Sequence, residues 1–260
     1  MIPKIIHYFW FGGNEMPLTE KTFIDNWKKL CPDYKFILWN EKNYDIHKNK
    51  FIEEAYQNKK YSFVTDFARL DVIFQFGGFY FDTDVELIKP LEQFLSLKTF
   101  FGFENDRCIN TGHGFGSEPR SNVIKTMMET YQNRRFVLEG NFFDTTPCTV
   151  TETKVLKEYG IEINNRFQNL LDVTVFPSDY FSPIDYDTNR IFLTKNTVSI
   201  HHYHASWLDK FHKKSITKKQ YLFSKFGVHL GKILYFPFKI YYSIRAYGFK
   251  IIALKIKKEK

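Results

Sequence analysis

The chain has 260 residues, of which 43% are hydrophobic, 19% aromatic and 25% charged, and its formal net charge is +8. This length predicts one large domain, or one domain with an appendage, and the aromatic content is high enough for a substantial core. The three cysteines, Cys31, Cys108 and Cys148, are widely spaced, which excludes a cysteine metal or redox motif and predicts reduced thiols in a reducing compartment.

Strand and helix patterns alternate along most of the chain, which is typical of an α/β fold with a mainly parallel sheet. The first of them, 4–10, is apolar throughout, as a buried parallel strand should be. The later elements predicted from periodicity and turn residues are helix 19–30, strand 34–39, helix 51–59, helix 62–76, strand 79–81, strand 98–103, a Gly-rich loop at 109–117, helix 122–133 and strands 173–176 and 198–202.

The helix predicted at 62–76 contains the first candidate site residues. Its apolar residues form one face, and Gly77 follows as a left-handed C-cap. Asp66 and Arg69 are three residues apart and therefore share a helical face. They are either a surface ion pair or part of a site built by the next strand, and the direct connection of the helix to that strand favours the site.

Asp82 and Asp84 follow the predicted strand 79–81, at the edge where open α/β sheets bind ligands. Two carboxylates ~4 Å apart repel by roughly 4 kcal/mol at an effective dielectric constant of about 20. A hard divalent cation removes that penalty, and Mg²⁺ or Mn²⁺ held by carboxylates and substrate phosphates fits this pattern. Two aspartates in a surface turn would have the same pattern, so the surrounding sequence decides between these interpretations.

That surrounding sequence resembles a known enzyme family. Asp66-x-x-Arg69 followed by Gly77-Gly78-Phe79-Tyr80-Phe81-Asp82-Thr83-Asp84 looks like the signature of DXD-containing glycosyltransferases. The most similar family contains yeast initiating mannosyltransferases and bacterial capsular polysaccharide enzymes. Segment 2–10 resembles its opening strand, and 201–207 resembles its closing His…Ser-Trp motif, so the resemblance covers residues 2 to about 210.

The resemblance implies a GT-A type fold and a set of site residues. Asp84, His202 and Asp82 would hold Mn²⁺ or Mg²⁺, and His201 is the runner-up for His202 because the histidine doublet makes the alignment ambiguous by one residue. The implied catalytic residues are Asp66, Arg69, Asp82, Asp84 and Asn110. The implied nucleotide-sugar contacts are His7, Tyr8, Trp10, Asp66, Arg69, Asp82, Asn110, Thr111, Ser206 and Trp207. The alternatives are that the aromatic residues of the first strand belong to the core and that Asn110 and Thr111 lie in a plain turn.

The predicted reaction is transfer of a hexose from a nucleoside diphosphate sugar to a glycan, and the resemblance implies retention of configuration. A UDP-sugar is favoured over GDP-mannose, and the acceptor is predicted to be lipid-linked, in bacterial surface or capsular polysaccharide synthesis. Because no residue is an obvious nucleophile, we expect attack from the leaving-group face, with a diphosphate oxygen taking the acceptor proton. The alternatives are a phosphohydrolase with Asp82 as nucleophile and a non-enzymatic lipid- or polyanion-binding protein.

The positive charge is concentrated in the C-terminal segment. From residue 208 onward there are fourteen basic and two acidic residues, whereas residues 1–207 have twenty-three basic and twenty-seven acidic ones. This change predicts a transferase domain at 1–211 and a basic extension at 212–260. Cations interrupt the apolar sequence too often for a membrane span, so we expect helices, broken at Pro237, that lie on an anionic membrane.

Nucleic-acid binding and packing on the core are the alternatives for this extension. The strand-like start of the chain leaves no room for an N-terminal anchor, which favours a bacterial cytoplasmic enzyme on the inner face of the cell membrane.

Overall fold

The structure is a computed structural model that describes residues 1–204 and 210–247, without the side chains of residues 141, 246 and 247. Ser206 and Trp207 lie outside the described residues. Contacts between Cα atoms divide the chain into two units. The first comprises Met1–Pro183 and Leu193–His202, and the second comprises Ile184–Phe192 and the chain from Tyr203 onward. The predicted boundary between residues 211 and 212 stays a prediction.

The first unit is built around a mixed sheet, whose strands are ordered β10-β11-β5-β7-β3-β1-β2, with β6 paired to β5. Five of its strands, β1, β2, β3, β5 and β11, run in one direction. The strands of the chain are β1 Ile5–Phe9, β2 Lys35–Trp39, β3 Gly78–Tyr80, β4 Val85–Leu87, β5 Thr99–Phe103, β6 Ile109–Asn110, β7 Phe115–Ser117, β8 Val137–Leu138, β9 Phe142–Phe143, β10 Gln168–Leu170, β11 Val173–Phe176 and β12 Ser199–His201.

The helices are α1 Leu18–Leu30, α2 Lys50–Gln57, α3 Tyr61–Phe76, α4 Asn122–Glu129, α5 Cys148–Glu158 and α6 Lys210–Tyr247. The predicted α/β class, with a mainly parallel sheet and a basic helical extension, is confirmed. The boundaries of α1, α2 and α3 agree with the prediction to within two residues. Helix α4 is shorter than predicted. The predicted Gly-rich loop contains β6 and β7, and α5 was not predicted.

The sheet positions functional groups because its parallel strands end at one edge. The side chains of β1 enter two buried clusters, Ile6 and Tyr8 in one and Phe9 in the other, so this strand is covered on both faces. Trp10 follows β1 and Asp82 follows β3 at the carboxyl edge, where ligands of open α/β sheets bind.

The second unit contains a helical hairpin. Helix α6 is broken at Gly227, where φ is 73° and ψ is 165°, a backbone conformation that glycine adopts without a side-chain penalty. The two arms, 210–226 and 228–247, meet through Ser215 Oγ and Tyr235 OH, 2.5 Å apart. The predicted break at Pro237 is wrong: this residue lies inside the second arm. Within the described residues, no helix is long and apolar enough to span a membrane.

Candidate active site

Asp66 and Arg69 form a buried pair on α3. Only 7% of Asp66 and 3% of Arg69 is exposed, and an Arg69 Nη2 hydrogen is donated to Asp66 Oδ1. A second guanidinium nitrogen, Nη1, lies 3.8 Å from Asp82 Oδ1. The surface ion pair considered as the alternative is therefore wrong. Helix α3 directs this pair at the DXD segment.

The DXD segment is a turn that is fixed at both ends. The Tyr80 hydroxyl lies 2.5 Å from Asp82 Oδ1 and donates to it, and the amide of Asp82 donates to the carbonyl of Gly112 at 3.0 Å. The amide of Val85 then donates to the carbonyl of Asp82 at 3.1 Å. This turn carries Asp82 and Asp84 out of β3 and into β4, with both carboxylates partly accessible to solvent.

A histidine joins these carboxylates through strand pairing. Strand β12 runs antiparallel to β4 and places His201 opposite Val85, next to Asp84. The ligand atoms of Asp82, Asp84 and His201 all lie within 4.8 Å of one another. Two carboxylate oxygens and one imidazole nitrogen form a donor set that fits a divalent cation such as Mn²⁺ or Mg²⁺.

The electrostatics of this cluster favour a bound cation. Burial raises the pKa of Asp82, and Asp84 adds to that effect, although Arg69 opposes both. Burial alone would lower the pKa of His201. Asp84 has the opposite and larger effect, because its Oδ1 lies 3.2 Å from His201 Nε2, so the pKa of His201 is raised. Because a metal-binding imidazole must be neutral, a divalent cation would displace the His201 proton and neutralise the two carboxylates.

The structure corrects the predicted histidine ligand. Nε2 of His202 lies 2.9 Å from Glu86 Oε2, and its ring stacks on Phe23 with centroids 4.9 Å apart. His202 therefore faces away from the two aspartates, and the runner-up, His201, takes its place. The physical reason is the side-chain alternation of a strand, by which neighbouring residues face opposite sides.

The Asn110–Gly112 segment closes the cluster from a third side. Asn110 Nδ2 donates to Glu104 Oε2 at 2.7 Å, and Asn110 Oδ1 accepts from the Gly112 amide at 2.6 Å. A Cβ at residue 112 would lie 2.5 Å from Asp82 Oδ2 and 3.0 Å from Arg69 Nη1. A side chain at residue 112 would displace these two groups, and Asn110 Oδ1 lies 3.0 Å from the same Cβ position. A contact between Asn110 and the donor sugar stays a prediction.

Thr111 has a different environment from the one predicted. It is completely buried, and both its amide and its hydroxyl donate to the Glu152 carboxylate, at 3.2 and 2.6 Å. Its hydroxyl is thus occupied inside the protein, so the prediction that Thr111 contacts the donor sugar is wrong. Thr111 instead holds the backbone that brings Gly112 against Asp82.

Glu152 itself was missed by sequence reasoning. It is 1% exposed, on α5, one turn after Cys148, whose Sγ lies 3.8 Å from Arg69 Nη2. Burial raises the pKa of Glu152 to about 7, although Arg69 opposes the shift. The sequence feature that could have indicated Glu152 is a carboxylate on the apolar face of a helix, near Val155 and Leu156. It was missed because helix α5 was not predicted.

The predicted nucleotide contacts of β1 divide into core and edge residues. His7 is fully buried: Trp39 Nε1 donates to its Nδ1 at 3.0 Å, so Nε2 carries the proton and donates to the Gly77 carbonyl at 3.0 Å. Burial accordingly lowers the pKa of His7 to about 4. Tyr8 is buried against Trp27. His7 and Tyr8 therefore belong to the core, and their assignment to the nucleotide is wrong.

Trp10 is the edge residue of this set. It is only partly buried, and its indole N–H donates to the Asn14 carbonyl at 2.7 Å. Its position after β1, at the carboxyl edge of the sheet, is compatible with a nucleotide contact, which stays a prediction.

Residues 17–101 match the family model of the glycosyltransferase sugar-binding region containing the DXD motif. This match includes Asp66, Arg69, Asp82 and Asp84. The matched region, 85 of the 260 residues, identifies the chain as a glycosyltransferase with a DXD sugar-binding region. The predicted family and enzyme class are confirmed, and the phosphohydrolase and the non-enzymatic binding protein are set aside.

Curated relatives of this glycosyltransferase come from a virus and from yeasts. An uncharacterized glycosyltransferase of Acanthamoeba polyphaga mimivirus is 27% identical over 219 residues, which are 80% of this chain and 84% of the relative. Inositol phosphoceramide mannosyltransferase 1 of Schizosaccharomyces pombe is 28% identical over 123 residues, which are 40% of this chain but only 37% of that enzyme.

Among solved structures, PaToxG glycosyltransferase is 16% identical, with a TM-score of 0.46 over 61% of this chain and 70% of its own. The α/β assignment rests on the sheet and helices described above rather than on this likeness.

Proposed function

We propose that this glycosyltransferase transfers a hexose from a nucleoside diphosphate sugar in a metal-dependent reaction. The observation that supports this most strongly is the meeting of Asp82, Asp84 and His201 within 4.8 Å, beside the buried Arg69. These three side chains would hold Mn²⁺ or Mg²⁺, which supplies Lewis-acid stabilisation of the negative charge on the departing diphosphate.

The residues around that cluster would fix the donor sugar. Arg69 keeps a permanent positive charge in a buried position, and Asp66 accepts a hydrogen bond from it, so both are oriented before the donor arrives. The carboxamide of Asn110 is held in place by Glu104. Such preorganised groups stabilise developing charge without reorganising during the reaction.

The acceptor proton needs a destination as well. Three carboxylates near Asp82 are already engaged, since Asp66 is bonded to Arg69, Glu104 to Asn110 and Glu152 to Thr111, and none of the three is placed as a nucleophile. Front-face attack, in which a diphosphate oxygen takes the proton and configuration is retained, therefore remains our proposal for the mechanism.

The identity of the donor and acceptor belongs to the same proposal. The sequence favours a UDP-sugar over GDP-mannose, whereas the name of the fission yeast relative, a mannosyltransferase, favours GDP-mannose, so both donors belong in the test. The acceptor would be a lipid-linked glycan in bacterial surface polysaccharide synthesis. The enzyme would then act on the cytoplasmic face of a membrane, to which its basic extension attaches.

A panel of UDP- and GDP-hexoses tests the reaction. The full-length protein should release UDP or GDP from one donor only when Mn²⁺ or Mg²⁺ is present, and excess EDTA should abolish the release. In the absence of donor, Mn²⁺ binding measured by electron paramagnetic resonance should saturate at one ion per chain. Donor cleavage that continues in EDTA, together with no Mn²⁺ binding, would contradict the proposal.

A further inference from the structure

One face of the second arm packs against the first arm of the hairpin. Gly231 packs against Phe223 of the first arm so closely that a Cβ at residue 231 would lie 2.8 Å from the Phe223 ring. The Tyr235 ring meets Phe223 edge-on, with centroids 6.3 Å apart, and the Lys218 ammonium lies 4.5 Å from the centre of the Phe238 ring. Positions 231, 235 and 238 recur at helical spacing and form the hairpin face.

A second face of the same arm is apolar and exposed. Its residues recur three or four positions apart, so at 100° per residue they form a stripe beside the hairpin face. Ile233 is 70% exposed, and Phe236 at the edge of the stripe is 61% exposed. The exposed residues of this apolar stripe are Leu230, Ile233, Leu234, Phe236, Ile240 and Tyr241.

The charges around the apolar stripe all have one sign. The described helix 210–247 contains nine lysines and arginines and no aspartate or glutamate. Lys232 and Lys239 are seven residues apart, and therefore lie on one line along the side of the second arm between the hairpin face and the stripe. An apolar stripe with cations at its side fits a helix that lies in the plane of a membrane interface.

We propose that the apolar stripe inserts between the lipids of an anionic bilayer, with the second arm parallel to the surface. The lysines contact the headgroups, and the hairpin face stays packed on the first arm. This inference rests on the proposed function in one respect: a lipid-linked acceptor would reach the enzyme at the same surface. It differs from a general charge attraction because it assigns the contact to one face of one arm.

Vesicle cosedimentation of the full-length protein tests the proposal. The probes are vesicles of phosphatidylcholine with and without phosphatidylglycerol. The double variant Ile233→Asp/Ile240→Asp should bind the anionic vesicles at least about tenfold more weakly, because two charges enter the interface with the stripe. Leu171→Asp is the matched control, since Leu171 is 91% exposed in the first unit and its replacement should leave vesicle binding unchanged.

Several outcomes would overturn the assignment. Vesicle binding by the double variant equal to that of the wild type would remove the stripe from the contact. Unfolding of the variant would mean that the stripe packs inside the same chain, and conversion of a wild-type dimer to monomers would mean that it packs on a second copy. Binding of a single-stranded RNA in preference to vesicles would assign the cations to nucleic acid. Because vesicle binding needs neither donor nor metal, its failure is distinguishable from failure of the proposed reaction.

Discussion

The two units of this glycosyltransferase use apolar residues in opposite ways. In the first unit, side chains such as Phe79, Phe100 and Phe115 are completely buried, and the charged residues at the site contact one another. In the second unit, Ile233 and Phe236 are largely exposed beside charges of one sign. The first unit can therefore hold an active site by burial, whereas the second presents a surface that suits an external partner.

The largest effect should come from the most tightly organised part of the first unit. Asp84→Asn should reduce donor turnover about a thousandfold, because it removes one anionic ligand and the neutralising partner of His201. His201→Gln should have a similar effect. Turnover with increasing Mn²⁺ measures both, together with Mn²⁺ binding in the absence of donor.

His202→Gln is the control for these two variants. Its ring contacts Glu86 and Phe23 rather than the aspartates, so turnover and Mn²⁺ dependence should stay close to those of the wild type. Loss of Mn²⁺ binding in His202→Gln, with His201→Gln unaffected, would contradict the choice of ligand.

These two histidines illustrate what the sequence could and could not determine. The α3 helix, its glycine end and the following DXD turn are local features, and their pattern predicted them correctly. The choice between His201 and His202 depends instead on how β12 pairs with β4, more than one hundred residues earlier in the chain. A shift of one residue reverses every side chain of a strand, so the doublet alone could not decide.

His7 and Gly227 are two further residues whose roles the local sequence pattern could not assign. An aromatic residue in an apolar strand fits both the core and a ligand site, and only the packing of Trp39 and Gly77 on His7 assigns it to the core. Pro237 is a strong local helix breaker, yet the chain bends at Gly227, where φ is 73°, a conformation that glycine adopts without a side-chain penalty. Tertiary contacts therefore decide the role of His7, whereas at the bend a glycine takes the role that the sequence pattern assigned to the proline.

The second largest effect should come from Arg69→Lys. Lysine keeps the charge but loses the planar fork that reaches both Asp66 and Asp82. The activation free energy should therefore rise by about 2 kcal/mol, which lowers turnover about thirtyfold. Steady-state kinetics with saturating metal provide the measurement. Arg107→Lys, at an arginine whose side chain is 72% exposed, is the matched control and should behave as the wild type. Equal kinetics for both variants would exclude Arg69 from the site.

A smaller effect, on stability, should depend on pH at Glu152. Its pKa rises from 4.5 to about 7 on folding, so between these values the unfolded chain ionises while the folded protein keeps the proton. Stability should therefore fall as pH increases from 4.5 to 7, by about 3 kcal/mol in total from this group. Glu152→Gln cannot ionise and should lose this dependence. Urea unfolding at pH 5 and pH 8 compares the two, and parallel changes in wild type and variant would contradict the assigned pKa.

The smallest effect should test how the second unit is held together. Segment Ile184–Phe192 belongs to this unit, and Asp187 within it lies 2.5 Å from the Lys219 ammonium, with both side chains 24% exposed. Lys219→Gln should lower the free energy of unfolding by about 1 kcal/mol or less, since a partly solvated ion pair contributes little. Limited proteolysis should nevertheless show faster cleavage within 184–192, because the segment loses its ionic contact with the first arm. Cleavage at an unchanged rate would mean that other contacts, such as the bond from Gln220 to the Tyr186 carbonyl, suffice to hold it. Deleting the helical arms would expose the same segment, so single substitutions separate the roles of the two units more cleanly than truncation.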